Sequence, residues 1–69
     1  MEKTLKQIGK RITAIRTDAG LSQEKFAKHL GVSRGYLSDI ERGAREMSLQ
    51  TAQIVCKKLR ISSSALLGF

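Results

Sequence analysis

Between positions 23 and 42, apolar residues fall at Phe26, Leu30, Val32, Leu37 and Ile40, with the small Ala27 and Gly31 among them. Phe26, Ala27 and Leu30 share one side of a short helix, and Leu37, Ile40 and Glu41 mark a face of a second. Gly31 stands where the first helix must end, because glycine accepts the left-handed C′ conformation without a Cβ penalty. Ser33 follows at the N-cap of the next helix, where its hydroxyl can take an otherwise unpaired backbone N–H. The pattern predicts two helices joined by a tight turn and crossing at Ala27.

Such a pair is a helix-turn-helix, which presents its second helix to the major groove of DNA, or else a plain helical hairpin with no ligand. The rest of the chain is also helical. Thr4 and Gln7 form a capping-box pattern ahead of a stripe of Leu5, Ile8, Ile12 and Ile15, and Gly20 closes that helix. Ser22 caps the second helix, with Glu24 in its first turn to suit the dipole. The third runs from Arg34 to about Arg42 and ends at Gly43. Ser48 caps a fourth, with a buried face of Leu49, Ala52, Val55, Cys56 and Leu59. Ser62 or Ser63 caps a last short turn carrying Ala65, Leu66 and Leu67. No strand alternation occurs, so the expected fold is all-α, a five-helix single domain over residues 1–69 with the helix-turn-helix at 23–42.

At 69 residues, without proline and with one Tyr and two Phe, the core must be aliphatic. No stretch approaches a membrane span, and the lysine-rich start lacks the apolar run of a signal peptide, so a cytoplasmic protein is expected. The net charge is +7, and ten of the thirteen Lys and Arg residues lie at or before Arg45. The excess therefore sits with the helix-turn-helix and favours a polyanion, nucleic acid first. One cysteine and one histidine allow neither a disulfide nor a metal set, and Cys56 reads as a small core residue. His29 falls on the polar side of its helix. Six acids, one His and one Cys assemble no catalytic constellation, so no enzyme, cofactor or small-molecule ligand is expected.

With Ser33 as N-cap, Arg34, Gly35 and Tyr36 form the first turn of the recognition helix, and Ser38 and Asp39 lie one turn later on the outward side. These five are the expected base-facing residues. Arg34 leads, because a guanidinium can donate two hydrogen bonds to guanine O6 and N7. Asp39 would accept from a cytosine amine or orient a neighbouring arginine. Phosphate contacts are expected from Gln23 at the start of the second helix, and from Lys28, Ser33, Arg42 and Arg45. Arg16 and Glu41 stand apart. The expected packing brings the ends of the first and third helices together, making them a partly buried ion pair. Leu66, Leu67 and Phe69 leave an apolar tail, so residues 60–69 are the expected dimerisation segment.

Over residues 8–67 the chain resembles the lambda-repressor-like helix-turn-helix family, which includes phage repressors, Cro proteins and many small bacterial regulators. The likeness is carried by 8–16 (IGKRITAIR), 21–27 (LSQEKFA), 30–33 (LGVS) and 40–43 (IERG). It implies that the position of Gln23 clamps a phosphate, that Arg34, Gly35, Ser38 and Asp39 face bases, and that Arg16 and Glu41 pair internally. Residues 34–49 (RGYLSDIERGAREMSL) are further similar to the controller proteins of restriction–modification systems, which are short, dimeric and autoregulatory. Those carry a polar residue where this chain has Gly35, so their operator sequence does not carry over.

The resulting expectation is a transcriptional regulator that binds a palindromic double-stranded DNA operator as a homodimer, with RNA polymerase a further candidate partner. The alternatives are a phage-type repressor or antitoxin with a protein partner, and a helix-turn-helix used for protein docking or nonspecific DNA binding.

Overall fold

Local signals at both ends set each helix. The computed structural model describes residues 4–62, Ser64 and Leu66. Within them the chain forms α1 (Leu5–Asp18), α2 (Gln23–Leu30), α3 (Arg34–Glu41) and α4 (Leu49–Leu59). Thr4, Ser22, Ser33 and Ser48 are the N-caps, and each side-chain oxygen accepts the backbone N–H three residues on. At Thr4 the box is reciprocal, because its own N–H donates to Gln7 Oε1 at 3.1 Å. At the other ends Gly20, Gly31, Gly43 and Arg60 take positive φ. The residue after each donates its N–H back five positions, as Val32 does to Ala27 O at 3.0 Å, which satisfies a carbonyl the helix leaves open.

The α2–α3 pair packs as its spacing predicts. Phe26, Ala27, Leu30, Leu37 and Ile40 are all buried and join Ile12, Ala52, Val55 and Leu66 in one core. Gly9, which the apolar pattern does not single out, is where α1 crosses α3. A Cβ there would stand 2.5 Å from Ile40 O and 2.6 Å from Glu41 O. The two backbones can meet so closely only because this residue has no side chain.

Three expectations are corrected. Four helices have their bounds among the described residues; the segment expected to make a fifth is described only at Ser62, Ser64 and Leu66, of which Ser64 and Leu66 are helical, and Leu66 N–H donates to Ser62 O at 3.2 Å. Leu66 is fully buried in the core of its own chain, so it is not available to a dimer surface. Leu67 and Phe69 lie outside the described residues. Leu49 is 71% exposed, because Thr51 takes the inward position of the first turn of α4. Leu5, 40% exposed, offers its backbone rather than its side chain to the fold: Gly43 packs against Leu5 and Lys6 main-chain atoms.

One carboxylate joins α1, α2 and α3. Glu41, whose side chain is 5% exposed, accepts from Arg16 Nε at 2.8 Å through Oε2. Its Oε1 accepts from Thr13 Oγ1 at 3.0 Å, Arg16 Nη2 at 3.1 Å and Gln23 Nε2 at 3.2 Å. Arg16 Nη1 donates in turn to Leu21 O at 2.9 Å, fixing the turn between α1 and α2. Burial alone would raise the pKa of Glu41. The hydrogen bonds from Arg16, Gln23 and Thr13 and the charge of Arg16 outweigh it and hold the carboxyl below its ordinary value.

Two predictions follow from this packing. Gly9→Ala should destabilise by about 1–3 kcal/mol, because the new methyl meets backbone rather than a movable side chain. Gly35→Ala, which meets nothing within 4 Å, should be neutral or stabilising by up to about 1 kcal/mol. Urea midpoints for the two variants check both. The second concerns pH. A carboxyl whose folded pKa is depressed stabilises fully above its ordinary value of 4.5, and that stabilisation is lost as pH falls through the lower folded value. Thr13→Val removes one donor, so it should cost about 1.5–3 kcal/mol at neutral pH. It should also move the acid-unfolding midpoint upward, as read by circular dichroism.

Candidate nucleic-acid interface

The solvent side of α3 is what remains once Leu37 and Ile40 are committed to the core. Ser33, Arg34 and Gly35 are exposed at its start, and Ser38 and Asp39 are half-buried one turn later. Ser33 Oγ accepts Tyr36 N–H at 3.0 Å, which leaves its hydroxyl proton to donate elsewhere. Nothing lies within 4 Å of where a Gly35 Cβ would stand, so the first turn beside Arg34 is open.

Tyr36 takes a different part from the one expected of it. Its hydroxyl accepts Ser48 N–H at 2.9 Å and lies 3.4 Å from Thr51 Oγ1. Ser48 Oγ donates to Thr51 Oγ1 at 2.8 Å, so the N-cap of α4 and the ring of Tyr36 form one polar cluster. The phenol that was expected at a base edge therefore pins α3 to α4, a correction with a plain cause: its polar tip is committed within the fold. Burial would raise its pKa, but the bonds with Ser48 and Thr51 and the charge of Arg45 bring it below the ordinary tyrosine value.

Asp39 sits between two arginines. One carboxylate oxygen pairs with Arg42 Nη2, and the other lies 3.7 Å from Arg45 Nε. The Arg45 guanidinium also stands 5.4 Å from the centroid of the Tyr36 ring. Both arginines remain largely exposed, 64% and 56% by side chain, with donors left over. Lys28 is exposed on α2. Gln23, the first residue of α2, is half-buried and shares its amide with Glu41, which uses one of its two N–H donors.

The structure thus brings together Arg16 with Glu41, and Asp39 with Arg42 and Arg45. It leaves Arg34 exposed, with Gly35 open beside it. The apolar pattern gave no sign of the Tyr36–Ser48–Thr51 cluster, which joins positions far apart in the chain. The part played by Thr13 had a readable signal, because Gly9, Thr13 and Arg16 fall on one helical face, four and three positions apart.

Comparison with known proteins agrees with this geometry. Residues 12–66 match the helix-turn-helix family. Over 61 residues the chain is 43% identical to an immunity repressor protein of Bacillus phage phi105, aligning 88% of this chain with 42% of the repressor. It spans well under half of that relative's length. Over 62 residues it is 39% identical to the control protein C.BamHI of Bacillus amyloliquefaciens, aligning 88% of this chain with 76% of that protein. The crystal structure of the restriction-modification controller protein C.AhdI from Aeromonas hydrophila superimposes with a TM-score of 0.82 at 37% identity. That match covers 90% of this chain and 94% of the controller. With its two buried-face helices, its left-handed turn at Gly31 and a family match over most of its length, the chain belongs to the XRE-type helix-turn-helix family of DNA-binding transcriptional regulators.

Proposed function

We propose that this protein is a sequence-specific regulator that acts as a homodimer on a palindromic operator in the cytoplasm and controls its own promoter, as a controller protein would. The observation that carries the reading is the first turn of α3. Arg34 and Gly35 are exposed and unobstructed there, on a helix whose opposite face, Leu37 and Ile40, is 1% and 2% exposed. A helix anchored on one side and open on the other at its N-terminal turn is built to enter a major groove.

Arg34 reads guanine O6 and N7, and Ser38 meets the next base edge. Gly35 leaves room for close approach or for a thymine methyl. Gln23, Lys28, Ser33, Arg42 and Arg45 hold the phosphates on either side, and with them the register. One monomer covers only a few base pairs. Two recognition helices one DNA turn apart, about 34 Å, read both halves of a palindrome. We assign the dimer contact to Leu67 and Phe69, the apolar residues that follow the buried Leu66. RNA polymerase is the further partner such a regulator would touch. The likeness to C.AhdI in fold, at 37% identity, supports the controller reading.

A second reading, a phage-type repressor or antitoxin region that also engages a protein, is favoured by the identity to the phage phi105 repressor, of which this chain spans only 42%.

Selection of bound sites from random duplex DNA tests the proposal. The expected outcome is a palindrome with a guanine in each half-site. Arg34→Ala should cost about 1–3 kcal/mol on that site and lose the preference for guanine. Folded protein that enriches no sequence would instead place it among docking modules or nonspecific DNA coats.

A further inference from the structure

Asp39 is the one acidic side chain on the second turn of the outward face of α3, in a protein of net charge +7. An anion at that place opposes a polyanionic ligand, so its presence calls for a physical reason. Its surroundings supply one. The two carboxylate oxygens are divided between two cations, Oδ1 toward Arg42 Nη2 and Oδ2 toward Arg45 Nε at 3.7 Å. Arg45 is held a second time by the face of Tyr36, at 5.4 Å. Tyr36 is itself fastened by Ser48 N–H at 2.9 Å. The two guanidiniums are therefore not loose surface charges. They belong to a chain of contacts that runs from α3 to the N-cap of α4.

We propose that Asp39 is a specificity-determining residue that acts through Arg42 and Arg45 rather than by reading a base, an inference that rests on the DNA-binding reading above. Specificity is a difference between affinities, and it rises when binding to the wrong partner is weakened. Free arginines follow the phosphates of any duplex and raise nonspecific affinity. Arginines tethered to one carboxylate keep a fixed spacing and present only their remaining donors. On a matched site, where the recognition helix is fully seated, those donors meet phosphates without leaving Asp39. On unmatched DNA the protein lies in other registers, and the tethered pair cannot follow the backbone.

Asp39→Asn keeps the shape of the side chain and removes its charge. Binding is measured by fluorescence anisotropy on a random-sequence duplex and on the selected operator across a range of salt, with thermal melting as the check on folding. The nonspecific affinity of Asp39→Asn should rise roughly five- to tenfold near 0.1 M salt, and its log–log salt slope should steepen by about 1. Operator affinity should rise less, so the ratio of specific to nonspecific binding falls. In a protein that also carries Arg42→Ala and Arg45→Ala, adding Asp39→Asn should change nonspecific affinity by less than about twofold.

The full gain persisting in that background would mean that Asp39 acts by its own charge alone, which overturns the proposal. A change confined to one base pair of the operator would make Asp39 a direct base reader, and an unchanged nonspecific affinity would leave it without this role; either overturns the proposal too. Wild-type protein that binds neither duplex would sink the DNA-binding reading itself, an outcome distinct from these three.

Discussion

A single buried carboxylate decides how α1, α2 and α3 meet. Glu41 is the last residue of α3, yet its hydrogen bonds reach Thr13 and Arg16 on α1 and Gln23 at the start of α2. A buried ion pair is poor evidence for stability as such, because desolvating both charges offsets much of their attraction. Its value lies in exclusivity. The carboxylate accepts four hydrogen bonds with good geometry in one arrangement of the helices, and any other packing would strand Arg16 or Glu41 away from water. Apolar side chains set that these helices associate, and Glu41 sets at which angle and depth.

The same residue links the core to the binding face. Gln23 shares its amide with Glu41, and Arg42 and Gly43 follow it directly in the chain. The groups proposed to grip phosphate on the two sides of α3 are thus positioned from one point. Gly9 completes the arrangement, because only a residue without a side chain lets α1 lie against the Ile40 and Glu41 carbonyls closely enough for Thr13 and Arg16 to reach.

Much of this was legible in the sequence where the physics is local. The four N-caps, the glycines that end α1, α2 and α3, and the alternation of buried and exposed positions across Gly31 depend on residues within one or two turns of each other. Arg16 and Glu41 could be paired because two helix ends were expected to meet. Legibility failed where a distant partner decides. Leu49 fits an apolar stripe, yet Thr51 holds the inward place through its bond with Tyr36. Leu66 belongs to an apolar tail in the sequence, yet it is buried in the same core as Ile12, Phe26 and Val55. Tyr36 sits at a position where a side chain could have faced DNA, and nothing nearby in sequence shows that Ser48 holds its hydroxyl.

The end of α4 differs from the other three helix ends. There Arg60 adopts φ 55°, where the others use glycine. A side chain in that region costs about 1–2 kcal/mol, and some other contact must hold it there. The contact at hand is the N–H of Ile61, which closes onto Cys56 O at 3.1 Å. Of the four helix ends described, this is the one where closing the last turn strains the residue that closes it.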